Sequence, residues 1–413
     1  MDKSAIDPKL ARPTLWTHMS SVVASWFVER LIGRPKIGAV TITFPNGRTR
    51  TYGDPTLGGQ HPTLIVRNFS MIPETLRRGT VGFAHAYIRG DVEVDDLTAL
   101  FRYFLQNRNI FQPKGAGWFG RASADLAYHL SRANTIDGSK ENISEHYDLG
   151  NEFYAEWLDP TMTYSSAVFT DMANQPLDEA QRAKYRRVAE MAGVQPGDRV
   201  LEIGCGWGGY AETVAAEFGA TVYGITLSRE QLAFAQKRIE AKGLSNLATF
   251  HFEDYRHTTG AFDRIGSIEM IEAVGEENWP SYFGTIHDRL RPGGTAAIQA
   301  ITINESDFEG YRSTPDFIQR YIFPGGMLLT KAAMEEQGRN VGLVLEKVET
   351  FGHSYAETLR RWRVRFLERW NAIRDLGFDE AFRRKWVYYL SYCEAGFDEG
   401  SIDVGIYQYR RPL

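Results

Sequence analysis

The sequence predicts a doubly wound, mostly parallel α/β sheet with a small N-terminal α+β domain. Three observations lead there. From Arg199 onward, short apolar runs alternate with helical patterns. One of those runs, residues 200–203, passes directly into Gly204-Cys205-Gly206-Trp207-Gly208-Gly209 and then into a helical stretch. The chain before about residue 120 shows a hairpin signature instead. Repeated strand–helix units at this spacing build parallel sheets, whereas a lone hairpin does not.

In chain order, residues 14–32 come first. Leu15, Met19, Val22, Val23, Trp26, Phe27 and Leu31 recur at helical spacing, and Gly33 and Pro35 end the pattern. Such a helix packs on its own domain or lies on a membrane surface. Alternating runs at 39–44 and 48–52 flank Pro45-Asn46-Gly47, a strong hairpin signal. A third strand is expected at 63–66, and residues 82–94 lead into a helix at 96–105. Nothing in this module reads as a nucleotide signature. Residues 112–122, with Pro113, Gly115, Gly117 and Gly120, read as linker. The expected divisions are an N-terminal lipid-associated domain at 1–120, a linker at 121–140 and a larger domain at 141–413.

The larger domain begins its sheet at 200–203, followed by a helix at 210–218. A strand at 220–225 precedes a helix capped by Ser228, with Glu230 inside it. Strands follow at 248–252, 262–268 and 294–303. Helical patterns at 360–373 and 380–395 then precede a last strand at 402–409.

Composition narrows the function classes. Of 413 residues, 24% are charged and 43% hydrophobic, a globular balance. The net charge of −5 supplies no global attraction for nucleic acid, so no such partner is expected. Met1-Asp2-Lys3-Ser4 lacks the order of a secretory signal, and no run of about 18 apolar residues spans a membrane. A cytoplasmic protein is expected. Cys205 and Cys393 cannot make a zinc site by themselves, a disulfide between them is not expected, and no metal is assigned. The aromatic share of 13% is high, and suits a large core or a cavity for an apolar ligand or a cation.

The glycine turn suits a nucleoside cofactor, because glycine admits positive φ and close backbone approach. Gly204, Gly206 and Gly209 fit the glycine part of a dinucleotide fingerprint. The rest does not fit. The second strand ends in Gly224-Ile225-Thr226-Leu227-Ser228, with no acid for a ribose. Acids stand instead at Glu202, before the glycines, and at Glu253-Asp254, after the third strand. That arrangement resembles S-adenosylmethionine-dependent methyltransferases. Acidic groups there accept from an adenine amino group or stabilise a cationic cofactor end.

The flanks sharpen the resemblance. Glu145-His146-Tyr147-Asp148-Leu149-Gly150-Asn151 and Leu158-Asp159-Pro160-Thr161-Met162-Thr163-Tyr164-Ser165-Ser166 precede the turn. Met270-Ile271-Glu272-Ala273-Val274-Gly275 and Tyr321-Ile322-Phe323-Pro324-Gly325-Gly326 follow it. In this order they resemble the cyclopropane-fatty-acyl-phospholipid synthase family over about residues 40–410. The resemblance implies a seven-stranded methyltransferase sheet with an acyl-chain pocket. It also implies one-carbon transfer from S-adenosylmethionine to the cis double bond of a phospholipid acyl chain. Cofactor contacts carry over to Tyr164, Ser165, Gly204, Gly206, Thr226, Leu227, Gln231, Phe252 and Glu253. Core packing is the plainer reading of Leu227 and Phe252.

Alkene chemistry sets further demands. Attack on a sulfonium methyl leaves a carbocation on the chain, so the site must be dry and electron-rich. A base then removes a proton. Loss from the new methyl closes a cyclopropane; loss after a hydride shift gives a methylene branch. Members of the resembled family use bicarbonate as that base. The positions that hold it map to Ser166, where the family has Cys, to Glu272, to Gln299, where it has His, to the Ile301 backbone and to Tyr355. Glutamine carries no charge and relays no proton. A third departure is Glu269, where the family commonly has glycine. With Glu269 and Glu272 on one helical turn, both carboxylates face one pocket and one pKa rises. Glu269 then replaces the bicarbonate partly or wholly, or it contacts the cofactor or a backbone amide. The product is a ring or a methylene or methyl branch, the last needing a separate reductase.

Arg360-Arg361-Trp362-Arg363-Val364-Arg365-Phe366 and Arg383-Arg384-Lys385-Trp386 mix cations with aromatics. They are candidates for contact with anionic headgroups at the inner membrane surface, or are solvated helix faces. A homodimer is compatible with the chain. Two other readings remain: methylation of another lipid, such as a sphingolipid base, or of an amine, and a silent lipid-binding protein.

Overall fold

The computed structural model describes residues 35–111 and 149–413. The helix expected at 14–32, the linker at 121–140 and the Glu145-His146-Tyr147-Asp148 part of the first motif lie outside the described residues.

Two compact units emerge. The first contains β1 (Ala39–Thr43), β2 (Thr49–Gly53), β3 (Thr63–Val66) and β4 (Val92–Val94), in the order β2-β1-β3-β4. The expected hairpin is present. Asn46 Oδ1 accepts from Arg48 N at 3.1 Å, and Thr43 pairs with Thr49. The helix Met71–Arg89, broken at Gly79 (φ 58°), is not evident in the sequence, because Pro73, Gly79 and Gly82 read as turn residues. Residues 310–322 and 366–401 group with this unit. Aromatic packing accounts for it: Tyr388 lies 5.0 Å from Phe101 and 4.5 Å from Phe317, ring to ring.

The second unit holds a seven-stranded sheet. Its strands are β5 (Arg199–Ile203), β6 (Thr221–Thr226), β7 (Ala248–Phe252), β8 (Phe262–Ile268), β9 (Leu290–Ile303), β10 (Val344–Thr350) and β11 (Ile402–Arg410). The order is β10-β11-β9-β8-β5-β6-β7. The pairs from β9 through β7 are parallel, and β11 runs antiparallel to both its neighbours. The doubly wound, mostly parallel sheet is therefore as expected. β10 has no alternating signal, since exposed Val344, Glu346, Lys347 and Val348 make it a solvent-facing edge.

Strand order reverses between the parallel neighbours β5 and β8, with β6 and β7 added on one side and β9 on the other; Ile203 lies opposite Ser267. In such sheets the crevice beyond the strand ends at this switch point receives ligands. The glycine turn after β5 and Glu269 after β8 both open into it. The two layers meet closely here. A Cβ on Gly266 would lie 2.6 Å from the Tyr210 ring, so only glycine lets the helix Gly209–Phe218 settle on β8. Gly266→Val is expected to destabilise the protein by about 1–3 kcal/mol. Thermal unfolding checks this, and an unchanged midpoint would show that the layers can part.

Candidate active site

The glycine turn has the predicted form. Gly204 N and Cys205 N both donate to Ile225 O, at 3.1 and 2.9 Å, tying the turn to β6. Gly204 and Gly206 take φ of 82° and 50°, and the helix starts at Gly209. Where a Cβ would project from Gly206 there is open space, whereas one on Gly204 would strike Met270 at 2.8 Å. Glu202 is buried beneath the turn, and its Oε2 has no hydrogen-bond partner. Burial pushes its carboxyl well above the usual range, opposed by Lys184 and Arg238.

The other cofactor candidates surround this turn. Thr226 Oγ1 donates to Gln231 Oε1 at 3.0 Å and accepts from Ser228 N, so the second-strand pair is held by the helix cap. Leu227 is half-buried. Phe252 is not a core residue: it is 37% exposed, with the Arg229 guanidinium 4.4 Å from its ring centroid. The Glu253 carboxylate accepts from Tyr223 at 2.7 Å. Ser165 is gripped from the helix Leu177–Ala192, with its hydroxyl accepting from Lys184 at 2.6 Å and its carbonyl from Gln181 at 2.9 Å. Tyr164 packs on Trp157 and Trp362, each 5.4 Å away. An open backbone, an orphaned buried carboxylate oxygen and an exposed aromatic ring fit an adenosyl amino acid.

Glu269 and Glu272 do come together, but not on a helical turn. Glu269 sits in the left-handed region, with φ 48°, between β8 and a short 3-10 turn at Ile271–Ala273. That conformation suits the glycine expected from the family resemblance, and costs another residue about 1 kcal/mol or more. Its carboxylate accepts three hydrogen bonds. Ser166 N and Gln299 Nε2 reach Oε1 at 2.8 Å, and the Tyr355 hydroxyl reaches Oε2 at 2.6 Å. Glu272 Oε1 accepts from Ile301 N at 2.6 Å. Of the donors expected to hold bicarbonate, Gln299 and Tyr355 thus serve Glu269, and the Ile301 backbone serves Glu272. The Ser166 hydroxyl turns away and donates to Ala167 O. The residues present do not fit a separate bicarbonate.

Both glutamates are half-buried, but Glu272 Oε2 is shut off from solvent and has no partner among the described residues. Burial, then the Glu269 charge, pushes Glu272 up to about 8. Burial also raises Glu269, while Tyr355, Lys184, Ser166 and Gln299 pull it back. The charge of one therefore opposes ionisation of the other, and the three donors favour the negative charge on Glu269 over Glu272.

Comparison with known proteins matches this arrangement to a family. Residues 135–407 match the model of mycolic acid cyclopropane synthetase. The chain belongs to that family. It is an S-adenosylmethionine-dependent methyltransferase. Its sequence is 39% identical to the tuberculostearic acid methyltransferase of Mycobacterium tuberculosis, over 86% of this chain and 85% of that one. It is 34% identical to the cyclopropane-fatty-acyl-phospholipid synthase of Escherichia coli K12, over 83% and 86%. The cyclopropane synthase MmaA2 of M. tuberculosis superposes with a TM-score of 0.62 at 30% identity, covering 66% of this chain and 98% of that one.

The methyltransferase carries two site features that sequence reading passed over. Lys184 lies on the apolar stripe of its helix and is fully buried; a charge at a stripe position was the available signal. Trp362 is core, 6.2 Å from Tyr355. The basic segments do not form the mixed cationic and aromatic faces expected. Trp362, Phe366 and Trp386 are buried. Arg361 pairs with Glu357 and lies over Phe169, and Arg384 donates to Tyr87 O and Val92 O. Among the described residues no helix is long and apolar enough to cross a membrane.

Two outcomes are expected. Gly206→Val weakens S-adenosylhomocysteine binding at least about tenfold by calorimetry, since a β-branched residue at positive φ blocks the cradle. Unchanged affinity would remove Gly206 from the cofactor site. Separately, Glu272 carries its proton at pH 7 and loses it near the value of about 8 set by burial. Its infrared C=O stretch, assigned against Glu272→Gln, should vanish as pH rises through that point. A band already missing at pH 6 contradicts the assignment.

Proposed function

We propose that this enzyme moves a one-carbon unit from S-adenosylmethionine to the cis double bond of a phospholipid acyl chain, with the Glu269 carboxylate as base. One observation carries the reading: Gln299 and Tyr355, expected to hold bicarbonate, instead hold Glu269, joined by the Ser166 backbone N–H. When bound, the cofactor supplies an electrophilic sulfonium methyl. Tyr164, Ser165, Glu202, Gly204, Gly206, Thr226, Leu227, Gln231, Phe252 and Glu253 are the residues to hold it.

The remaining steps fall to side chains. Tyr164, Trp362 and Tyr355 place electron-rich rings beside the base, suited to a cation on the acyl chain. Protonated Glu272 keeps a second negative charge away from Glu269. Among the described residues Glu269 Oε2 accepts only from Tyr355, and it retains a lone pair for the substrate proton. Taking that proton from the new methyl closes a ring. Taking it after a hydride shift leaves a methylene branch, which a separate reductase would turn into a methyl branch.

Lipids from expressing cells should gain one CH₂ by mass spectrometry, with chain fragmentation separating ring from branch; no gain on any phospholipid chain would sink the substrate reading. Glu269→Gln should lose about 100-fold or more in turnover. Glu269→Gly, which keeps the backbone and frees three donors, should regain activity when bicarbonate is added to bicarbonate-free buffer. Full turnover by Glu269→Gln would exclude the base assignment.

A further inference from the structure

One fully buried cation stands beside this site with no part in the chemistry above. Lys184 has a relative exposure of 0%. Its ammonium makes one hydrogen bond, to Ser165 Oγ at 2.6 Å, and lies 4.3 Å from the Tyr185 ring centroid. An ammonium offers three protons, and burial against a single neutral hydroxyl pulls Lys184 down to about 7, against the opposing charges of Glu269, Asp159 and Glu202.

Three carboxyls face it from three elements: Glu269 after β8, Asp159 after the helix Asn151–Trp157, and Glu202 on β5. Burial pushes the proton affinity of each one up. They differ in what holds the anion. Asp159 answers to Thr161 and also feels Asp178. Glu202 has an unpartnered oxygen and feels Arg238, which is itself paired with Glu212. Glu269 accepts three hydrogen bonds, faces Glu272 and Tyr355, and has the strongest attraction to Lys184.

We propose that Lys184 is a positioning residue for the base: it clamps the Ser165–Ser166 strip, and its charge is the counter-ion of the Glu269 carboxylate. The clamp is mechanical. Gln181 and Lys184, one turn apart, hold the carbonyl and hydroxyl of Ser165. The next residue's N–H then meets Glu269 Oε1. The charge acts across the same strip. Burial drives Glu269 toward its protonated, inactive form, and Lys184 opposes that drive. The inference rests on Glu269 as the base.

Two variants separate charge from clamp. Lys184→Met removes both, while Lys184→Gln keeps a donor for Ser165 and loses only the charge. Because a nearby cation favours the anion, its loss raises the proton affinity of Glu269. The acid limb of kcat should move to higher pH by about one unit or more in both variants, a tenfold change in proton affinity. A wild-type limb in Lys184→Gln overturns the counter-ion role, and so does a defect confined to KM for S-adenosylmethionine. Glu269→Gln is run in parallel: full turnover there shows that the base reading failed, whatever Lys184 does. Should neither lysine variant fold, the infrared difference between wild type and Glu269→Gln at pH 7 decides. A carboxylate band upholds the proposal, and a protonated C=O band overturns it.

Discussion

The Glu269 carboxylate gathers hydrogen bonds from three distant parts of the chain: the Ser166 amide, the Gln299 side chain on β9 and the Tyr355 hydroxyl on the helix Gly352–Glu368. Those donors converge only if β8 and β9 are in register. Ile268 pairs with Gln299, and Glu269 N donates to Gln299 O at 2.8 Å. One more step along the strand then needs φ of 48° to swing the carboxylate inward. A one-residue slip would send Gln299 to the opposite face of the sheet and dismantle the cluster. The sheet is in this sense the ruler for the site. The strained residue is tolerated because three charge-assisted hydrogen bonds outweigh a cost of about 1 kcal/mol.

The alternating strands and helices were legible because burial on both faces makes each parallel strand a short apolar run. Val200–Ile203 is an example, whereas Ala248–Phe252, at the sheet's edge, alternates buried and exposed residues and is bounded in the structure as expected. Edge strand β10 was not legible, since a solvent-facing edge needs no apolar run. The helix Met71–Arg89 was hidden by glycines that serve a break and a close contact rather than a turn. Within the site, residue types were readable and geometry was not. Glu269 stood out as an acid where the resembled family has glycine. Its conformation follows from the same fact, yet spacing alone suggested a helical turn. Ser166 shows the limit most clearly: its hydroxyl was the expected donor, and its backbone N–H does the holding. Side-chain identity says nothing about a backbone donor.

A base attached to the chain differs physically from one that binds. A dissociable anion must be attracted by donors that release it again, and its occupancy depends on concentration. A glutamate in the same cradle is always present, but its ionisation must be defended against burial from within. That defence needs a neutral neighbour and an opposite charge. Glu272, pushed up to about 8, provides the first, and Lys184 lies where it provides the second. Both groups are buried at some cost to stability, and the cost falls as the three groups settle as one anion, one acid and one cation. Losing the anion or the cation leaves a buried charge without its partner. The site is therefore better described as a coupled unit than as a base with accessories, and substitutions within it should be strongly non-additive.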